Sequence, residues 1–141
     1  PRNVLAGKFS VPFAVATTLV NGSSAVGSFT GENVTNPEIL ALAARVTVRE
    51  DPAMTAQLPD RRPARVTVTL TDGTALTAET ETNRGDWADP YPTAEIRDKY
   101  LSLTARLWPA PTAIAVWDET MALETRADMT SLSALMRRAA A

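Results

Sequence analysis

Residues 7–22 read GKFSVPFAVATTLVNG and predict a buried helix. Ser10 can cap this helix by accepting a hydrogen bond from a first-turn N–H, and Pro12 suits the first turn because the donor it lacks has no intrahelical partner there. Apolar side chains then recur at spacings of three and four residues, as they do on one helical face. Asn21-Gly22 predicts the end of the helix, since both residue types tolerate left-handed backbone.

The amino-acid composition limits the classes of function that this chain can have. A chain of 141 residues with 45% hydrophobic and 21% charged residues is typical of one globular domain. Its net charge of −2 does not favour binding to nucleic acid or to an anionic membrane. Cysteine and histidine are both absent, which excludes disulfides, thiolate nucleophiles, the usual zinc ligands and the usual general base from this chain. We therefore expect no metal site, no membrane span and a reducing cytoplasmic environment.

The remaining pattern predicts an α+β fold. Asp72-Gly73 lies between two alternating segments and predicts a β-hairpin with a two-residue turn. Arg45–Glu50 alternates with β-branched residues and predicts a further strand. Helices are predicted from Ser10, from Thr35 or Asn36, from Thr93 to Trp108, from Thr112, and from Asp128 or Thr130, with a frayed tail over 137–141. The expectation is one domain over residues 1–141, in which a small antiparallel sheet of about three strands is packed by about five helices.

Side-chain spacing also predicts which helical faces are buried. In the helix that starts at Thr93, the inward side is expected to hold Ile96, Tyr100, Leu103 and Leu107. In the helix that starts at Thr112, it is expected to hold Ile114, Trp117 and Met121. Two further aromatic side chains, Trp87 and Tyr91, lie in a loop and are expected to be covered.

Four segments together resemble the C-terminal lid domain of the MmgE/PrpD family. They are KFSVPFAVA from Lys8, Ser28-Phe29, the stretch from Pro37-Glu38 to LAARVTV, and Arg84-Gly85-Asp86 followed by Lys99-Tyr100. Each segment alone is common, but the four occur in the family's order at comparable spacing over nearly the whole chain. The chain is therefore identified as a member of this family.

The resemblance implies a cytoplasmic enzyme family without metal or other cofactors. Its members include 2-methylcitrate dehydratases, cis-aconitate decarboxylases and iminodisuccinate epimerases, which are commonly dimers. They combine this lid with an N-terminal helical domain that supplies most catalytic acids and bases, and that domain has no counterpart here. The parent protein is thus expected to be a lyase or isomerase acting on a small polycarboxylate, with the missing helical domain as partner of this chain. The chain alone is expected to be inactive.

Three residues are candidates for substrate contact. Lys8 and Ser10 lie at a helix start, where an ammonium group, a hydroxyl and backbone N–H groups can hold a carboxylate. The structural alternative, which is favoured, makes Ser10 only a cap and Lys8 a surface cation. Arg84 can contact substrate or, as the favoured alternative, form an ion pair that shapes its own loop; an adhesion role of Arg-Gly-Asp is remote.

Two other functions remain open. The chain can be a non-catalytic dimerisation or binding module that uses an exposed face or edge of the sheet. It can also be an anion binder that uses the cluster of Arg61, Arg62 and Arg65, although short charge runs are more often solvated edges.

Overall fold

The chain is described by a computed structural model that covers residues 1–139. These residues form two compact units, one from Pro1 to Leu58 and one from Pro59 onward. The helices are α1 (Val4–Lys8), α2 (Val11–Asn21), α3 (Gly31–Thr35), α4 (Pro37–Ala43), α5 (Pro52–Thr55), α6 (Thr93–Thr104), α7 (Ala110–Met121) and α8 (Thr130–Ala139). The strands are β1 (Ala64–Thr69) and β2 (Ala75–Thr80), and two short 3-10 helices span Val26–Ser28 and Leu123–Thr125. The α+β class is confirmed.

The first unit is built around α2, as the sequence predicted. Ser10 caps the helix by accepting a hydrogen bond from the Phe13 N–H at 3.3 Å, and Gly22 is the C-cap. α2 packs against α4, and Phe13, Ala16, Val34 and Ile39 form the buried core of this unit. Phe13 also contacts Phe29, with the ring centroids 6.1 Å apart. This core fixes the position of the α1–α2 junction.

A buried polar network holds the loop between α2 and α3. Thr17 is fully buried and donates its hydroxyl hydrogen to the Ser28 carbonyl at 2.9 Å. The same carbonyl accepts a hydrogen bond from Asn33 Nδ2 at 3.0 Å, while the Ser28 hydroxyl donates to the Ser23 carbonyl at 2.6 Å. Since buried polar groups are costly unless paired, this network explains why small polar residues serve in that loop.

The predicted third strand is wrong. After α4, the N–H groups of Arg45 and Val46 donate to the carbonyls of Leu42 and Ala43, which continues the helical turn. Residues 46–50 have no regular secondary structure, and within the described range the sheet consists of β1 and β2 alone. β-branched alternation favours an extended backbone, but a strand also needs a neighbouring strand for its hydrogen bonds, and local sequence does not supply one.

The hairpin forms where the sequence placed it. Val66 lies opposite Ala78 and Val68 opposite Leu76, so one face is apolar, whereas the other carries Arg65 opposite Glu79 and Thr67 opposite Thr77. Every residue of both strands is exposed except Val68, which is half-buried.

The connection between the strands is longer than the two-residue turn we expected. Leu70 donates its N–H to the Thr74 carbonyl at 2.8 Å and accepts from the Gly73 N–H at 3.1 Å, so the loop comprises residues 71–73. Gly73 has a φ of 88°, the left-handed conformation that the third position of such a loop requires.

The three long helices of the second unit form near their predicted positions, but α6 ends at Thr104 and not at Trp108, and α7 begins at Ala110 and not at Thr112. Their packing also differs from the prediction. α7 packs with α8, and the buried side chains there are Ala113, Val116 and Leu132. The expected inward residues Ile114 and Met121 are exposed, so α7 is turned by about one residue, or roughly 100°, from the expected orientation. On α6, Ile96 and Leu103 are exposed as well, and Tyr100 alone of the expected face is half-buried.

Three short helices were not predicted, namely α1, α3 and α5. A helix of four or five residues shows little more than one turn of periodicity, so it is recognised mainly by its cap. Asn3 caps α1, Thr30 caps α3 and Asp51 caps α5, each through a side-chain oxygen that accepts a first-turn N–H. The expected fraying of residues 137–141 falls partly outside the described residues, and the single-domain expectation stays a prediction.

Candidate functional site

The α1–α2 junction carries two of the three candidate residues. Lys8 ends α1, Phe9 follows it as the C-cap residue, and Ser10 is the N-cap of α2. Ser10 uses its oxygen as an acceptor for the Phe13 N–H. Because a hydroxyl can donate and accept at once, its hydrogen remains available to a ligand oxygen. The cap role and a ligand role of Ser10 are therefore compatible.

The first turn of α2 offers fewer backbone donors than a helix start usually does. Pro12 has no N–H, the Phe13 N–H is taken by Ser10, and the Ala14 N–H donates to the Ser10 carbonyl at 2.8 Å. This leaves the N–H of Val11 as the remaining donor of that turn. A carboxylate at this junction would thus depend on the Lys8 ammonium and the Ser10 hydroxyl more than on the helix itself.

Lys8 is exposed, and among residues 1–139 no carboxylate pairs with it. The surrounding segment is positive as a whole, since residues 1–31 contain Arg2 and Lys8 and no acidic residue. Phe9, which lies between the two candidates, is 84% exposed. The junction therefore combines a positive charge, a hydroxyl and an apolar surface. The charge asymmetry of residues 1–31 is a signal that our sequence reasoning had not used.

Arg84, the third candidate, lies in the other unit and is bound within its own loop. Its guanidinium contacts Asp89 Oδ1 at 2.6 Å and Glu95 Oε1 at 2.7 Å, and it lies over the ring of Tyr91 at 5.1 Å from the centroid. The hydrogen bond that Arg84 donates to Glu95, followed by the one it donates to Asp89, raises the pKa of Arg84 above its usual range. An ion pair within the loop is present, but it joins Arg84 to Asp89 and not to Asp86, and a second pair joins Arg84 to Glu95 of α6. A substrate contact of Arg84 stays a prediction.

Arg84 also supports the start of α6. The sequence also predicts that Thr93 caps this helix; that prediction is wrong, because Pro92 is the N-cap residue of α6 and provides no side-chain hydrogen bond. Glu95 lies in the first turn, where a carboxylate interacts well with the helix dipole, and Arg84 holds that carboxylate.

The loop presents one aromatic side chain to solvent. Trp87 is 85% exposed, contrary to the expectation that it is covered, and its backbone N–H donates to Asp86 Oδ1 at 2.7 Å. Tyr91 is also partly exposed, with its ring packed against Gly85 and Arg84. Gly85 has a φ of 93°, and a Cβ built there would lie 2.5 Å from Tyr91 Cε2. Glycine is therefore required at this position both for its backbone conformation and for its lack of a side chain.

The arginine cluster of the hairpin is engaged by acids of the facing strand region. Arg61 pairs with Glu81 at 2.8 Å and Arg65 with Glu79 at 2.9 Å, and all four side chains are about half exposed or more. Such pairs contribute little to stability in water, and they leave less positive charge for an external anion. This arrangement agrees with the solvated-edge interpretation.

Residues 1–139 contain no group of three or more acidic side chains that could hold a metal ion. Within that range, no helix has the length and apolar character required to cross a membrane.

Local hydrogen bonds shift the pKa values of two exposed carboxylates. The N–H of Thr74 lowers the pKa of Asp72, and the N–H of Thr130 lowers the pKa of Asp128. Burial raises the pKa of the Tyr100 hydroxyl, which donates to the Ala113 carbonyl at 2.9 Å.

The family assignment follows from comparison with known proteins. The model of the MmgE/PrpD C-terminal domain matches residues 1–123, a range that includes every element from α1 to α7. The chain therefore belongs to the MmgE/PrpD family. Among characterised relatives, cis-aconitate decarboxylase of Mus musculus is 24% identical over 130 residues, which cover 92% of this chain and 26% of that protein. The chain thus spans about a quarter of the length of this relative.

Proposed function

We propose that this chain is the lid domain of a MmgE/PrpD-type lyase or isomerase that acts on a small polycarboxylate. The observation that carries the proposal is the match to the family's C-terminal domain over residues 1–123, in a chain that corresponds to 26% of a decarboxylase relative. A dehydratase of the 2-methylcitrate type, a decarboxylase and an epimerase all fall within the proposed class. The proposed compartment is the cytoplasm, which the lack of cysteine supports. The proposed assembly is a homodimer, as the family resemblance implies.

The proposed chemistry is proton transfer at a carbon beside a carboxylate. Such a step needs a base with a pKa near the working pH and donors that stabilise the enolate-like charge. This chain has no histidine and no cysteine, and Lys8 and Lys99 are its two lysines. The proposed division of labour therefore assigns proton transfer to the helical domain and assigns carboxylate binding and exclusion of water to the lid.

Within the lid, we assign carboxylate binding to Lys8 and Ser10. The Lys8 ammonium is exposed and pairs with no carboxylate of the described residues, and the Ser10 hydroxyl retains a hydrogen to donate. A charge-assisted hydrogen bond of this kind contributes about 1.5–3 kcal/mol to binding, or roughly 10- to 100-fold in affinity.

The division of labour is tested by turnover. The 141-residue chain and the longer natural polypeptide are assayed with cis-aconitate and with 2-methylcitrate. We expect activity on one of these compounds for the longer protein and none for the chain alone. Full activity of the 141-residue chain would contradict the supporting role, and inactivity of the longer protein on both would contradict the proposed substrates.

The two contact residues are tested by variants of the longer protein. We expect Lys8→Met to raise KM by about 10-fold or more with kcat nearly unchanged, since a contact made equally to substrate and transition state affects KM alone. Lys99→Met, which removes the other lysine, is the matched control and is expected to change KM less than 2-fold. Equal effects of the two variants would remove Lys8 from the site.

Ser10 needs a variant that separates its two roles. Ser10→Asp keeps an N-cap acceptor, so the helix is expected to retain its stability, but the added negative charge repels a substrate carboxylate. We expect this variant to unfold at the same urea concentration as the natural sequence and to show a raised KM. An unchanged KM would restrict Ser10 to capping.

A further inference from the structure

An open apolar surface lies on two helices of the second unit. On α6, Ile96 and Leu103 are seven residues apart and flank Tyr100 on the same side of the helix, and on α7 Ile114 and Met121 flank Trp117 in the same way. The rings of Tyr100 and Trp117 contact each other with centroids 5.3 Å apart, which joins the two sides into one surface. We call these six side chains, with Leu107 from the turn between the helices, the α6–α7 face.

The side chains of the α6–α7 face are of types that are usually buried, yet most of them are exposed. Leu107 is 79% exposed and Met121 57% exposed, and Ile96, Leu103 and Ile114 are exposed too. The side-chain spacing had predicted that all of them point inward, yet within the described chain the buried side of α7 is the neighbouring one, which holds Ala113 and Val116. None of the seven is charged, and helical spacing places Lys99 and Asp118 at its border. A surface that packs against the α6–α7 face is therefore expected to be apolar and to need no net charge.

From this we infer that the α6–α7 face is covered by another part of the same polypeptide, outside the 141 residues. The inference rests on the proposed function, in which this domain belongs to a longer enzyme. The family match ends at residue 123 and so includes both helices, and the decarboxylase relative is about four times as long as the matched region.

The size of the face decides between a tethered and a free occupant. Its partly exposed side chains present on the order of a few hundred Å², against roughly 800 Å² per partner in a stable complex of separate proteins. A second copy or another free protein would gain too little from so small a surface. A segment of the same polypeptide binds at an effective concentration in the millimolar range, so a small apolar face is sufficient.

Thiol labelling tests the inference, because the chain contains no cysteine of its own. The variants are Leu103→Cys and Met121→Cys on the face, with Ser102→Cys as the matched control on the exposed opposite side of α6. Each is labelled with a maleimide in the 141-residue chain and in the longer natural polypeptide, and the modified position is identified by peptide mass spectrometry. We expect L103C and M121C to react at least 10-fold more slowly in the longer polypeptide, and S102C to react equally in both.

Other outcomes separate the inference from the proposed function. Equal labelling of L103C and M121C in both proteins would overturn the covered face, even if the longer protein turns over substrate. Slow labelling in the 141-residue chain that depends on its concentration would identify a second copy as the occupant and would also overturn it. Protection without turnover would retain the covered face and contradict the enzyme assignment. A natural polypeptide of only 141 residues would overturn both.

Discussion

At the scale of single residues, the two phenylalanines at the start of the first unit have opposite environments. Phe13 is fully buried in the core, whereas Phe9, four positions earlier, is 84% exposed. We expect Phe13→Ala to lower the free energy of unfolding by about 3–5 kcal/mol, through lost burial and the remaining cavity. Phe9→Ala makes the same chemical change at the surface and is expected to stay within about 0.5 kcal/mol. Urea unfolding followed by circular dichroism measures both, and similar losses would contradict the core assignment.

Gly85 provides a second comparison. Gly85→Ala would require a left-handed alanine and would bring its Cβ against Tyr91, so we expect a loss of about 1–2 kcal/mol or more in stability. Gly27→Ala is the control, because a Cβ at Gly27 meets no atom within 4 Å and Gly27 has no positive φ. Thermal unfolding of the two variants measures the difference. An unaffected midpoint in Gly85→Ala would show that the loop adapts without cost.

Tyr100 gives the fold a dependence on alkaline pH. Its pKa is raised in the folded state by burial, so the folded protein holds this proton more firmly than the unfolded chain does. The stability linked to Tyr100 is therefore fully present below about pH 10, the usual tyrosine pKa, and is lost as pH rises through the higher folded pKa. We expect the stability difference between the natural sequence and Tyr100→Phe to be constant below about pH 10 and to shrink as the pH rises above it. A difference that stays constant there as well would exclude this linkage.

At the scale of secondary-structure elements, residues 46–50 after α4 lack a neighbouring strand with which to form hydrogen bonds. The N–H groups of residues 47–50 have no backbone partner among the described residues, whereas those of α2 are hydrogen-bonded in a buried helix. We expect the amides of residues 47–50 to exchange with deuterium within seconds at neutral pH, and those of Ala16 and Thr17 to be slower by orders of magnitude. Protection of residues 47–50 would show that they pair as a strand after all.

The elements also show which sequence signals were sufficient. Ser10 and Asn36 each cap the helix that was predicted from them, and the alternating segments around Asp72-Gly73 form the predicted hairpin, because all these signals act within a few residues. The rotation of α7 about its axis, relative to the expected orientation, could not be predicted in the same way. Its apolar residues Ile114 and Met121 suit a buried face, but which side of α7 packs against α8 is decided by contacts with other elements and not by local spacing.

The candidate site was predictable to the same extent. Lys8 and Ser10 are two residues apart, so their placement at the start of α2 follows from the sequence alone, whereas α1, which ends at Lys8, was not predicted. The partners of Arg84 were not predictable, because Glu95 is eleven residues away on the first turn of α6 and reaches back across the loop. The sequence therefore indicated that Arg84 forms an ion pair but not which acids it binds.

At the scale of the whole molecule, the family is established by a match to this domain, whereas the activity is proposed. The match over residues 1–123 establishes the family, while the chain corresponds to only a quarter of the decarboxylase relative. The family assignment is a statement about this domain, and the lyase or isomerase activity is our proposal. The absence of histidine and cysteine is the basis for our proposal that the lid binds the substrate while the helical domain moves its proton.

The α6–α7 face has a consequence for the life of the protein in a cell. On the covered-face inference, we expect a nascent or truncated chain that lacks the covering segment to expose apolar side chains of the kind that chaperones and proteases recognise in unfolded proteins. Such a product is then expected to accumulate less than the complete protein, so that the α6–α7 face ties the abundance of the protein to correct assembly.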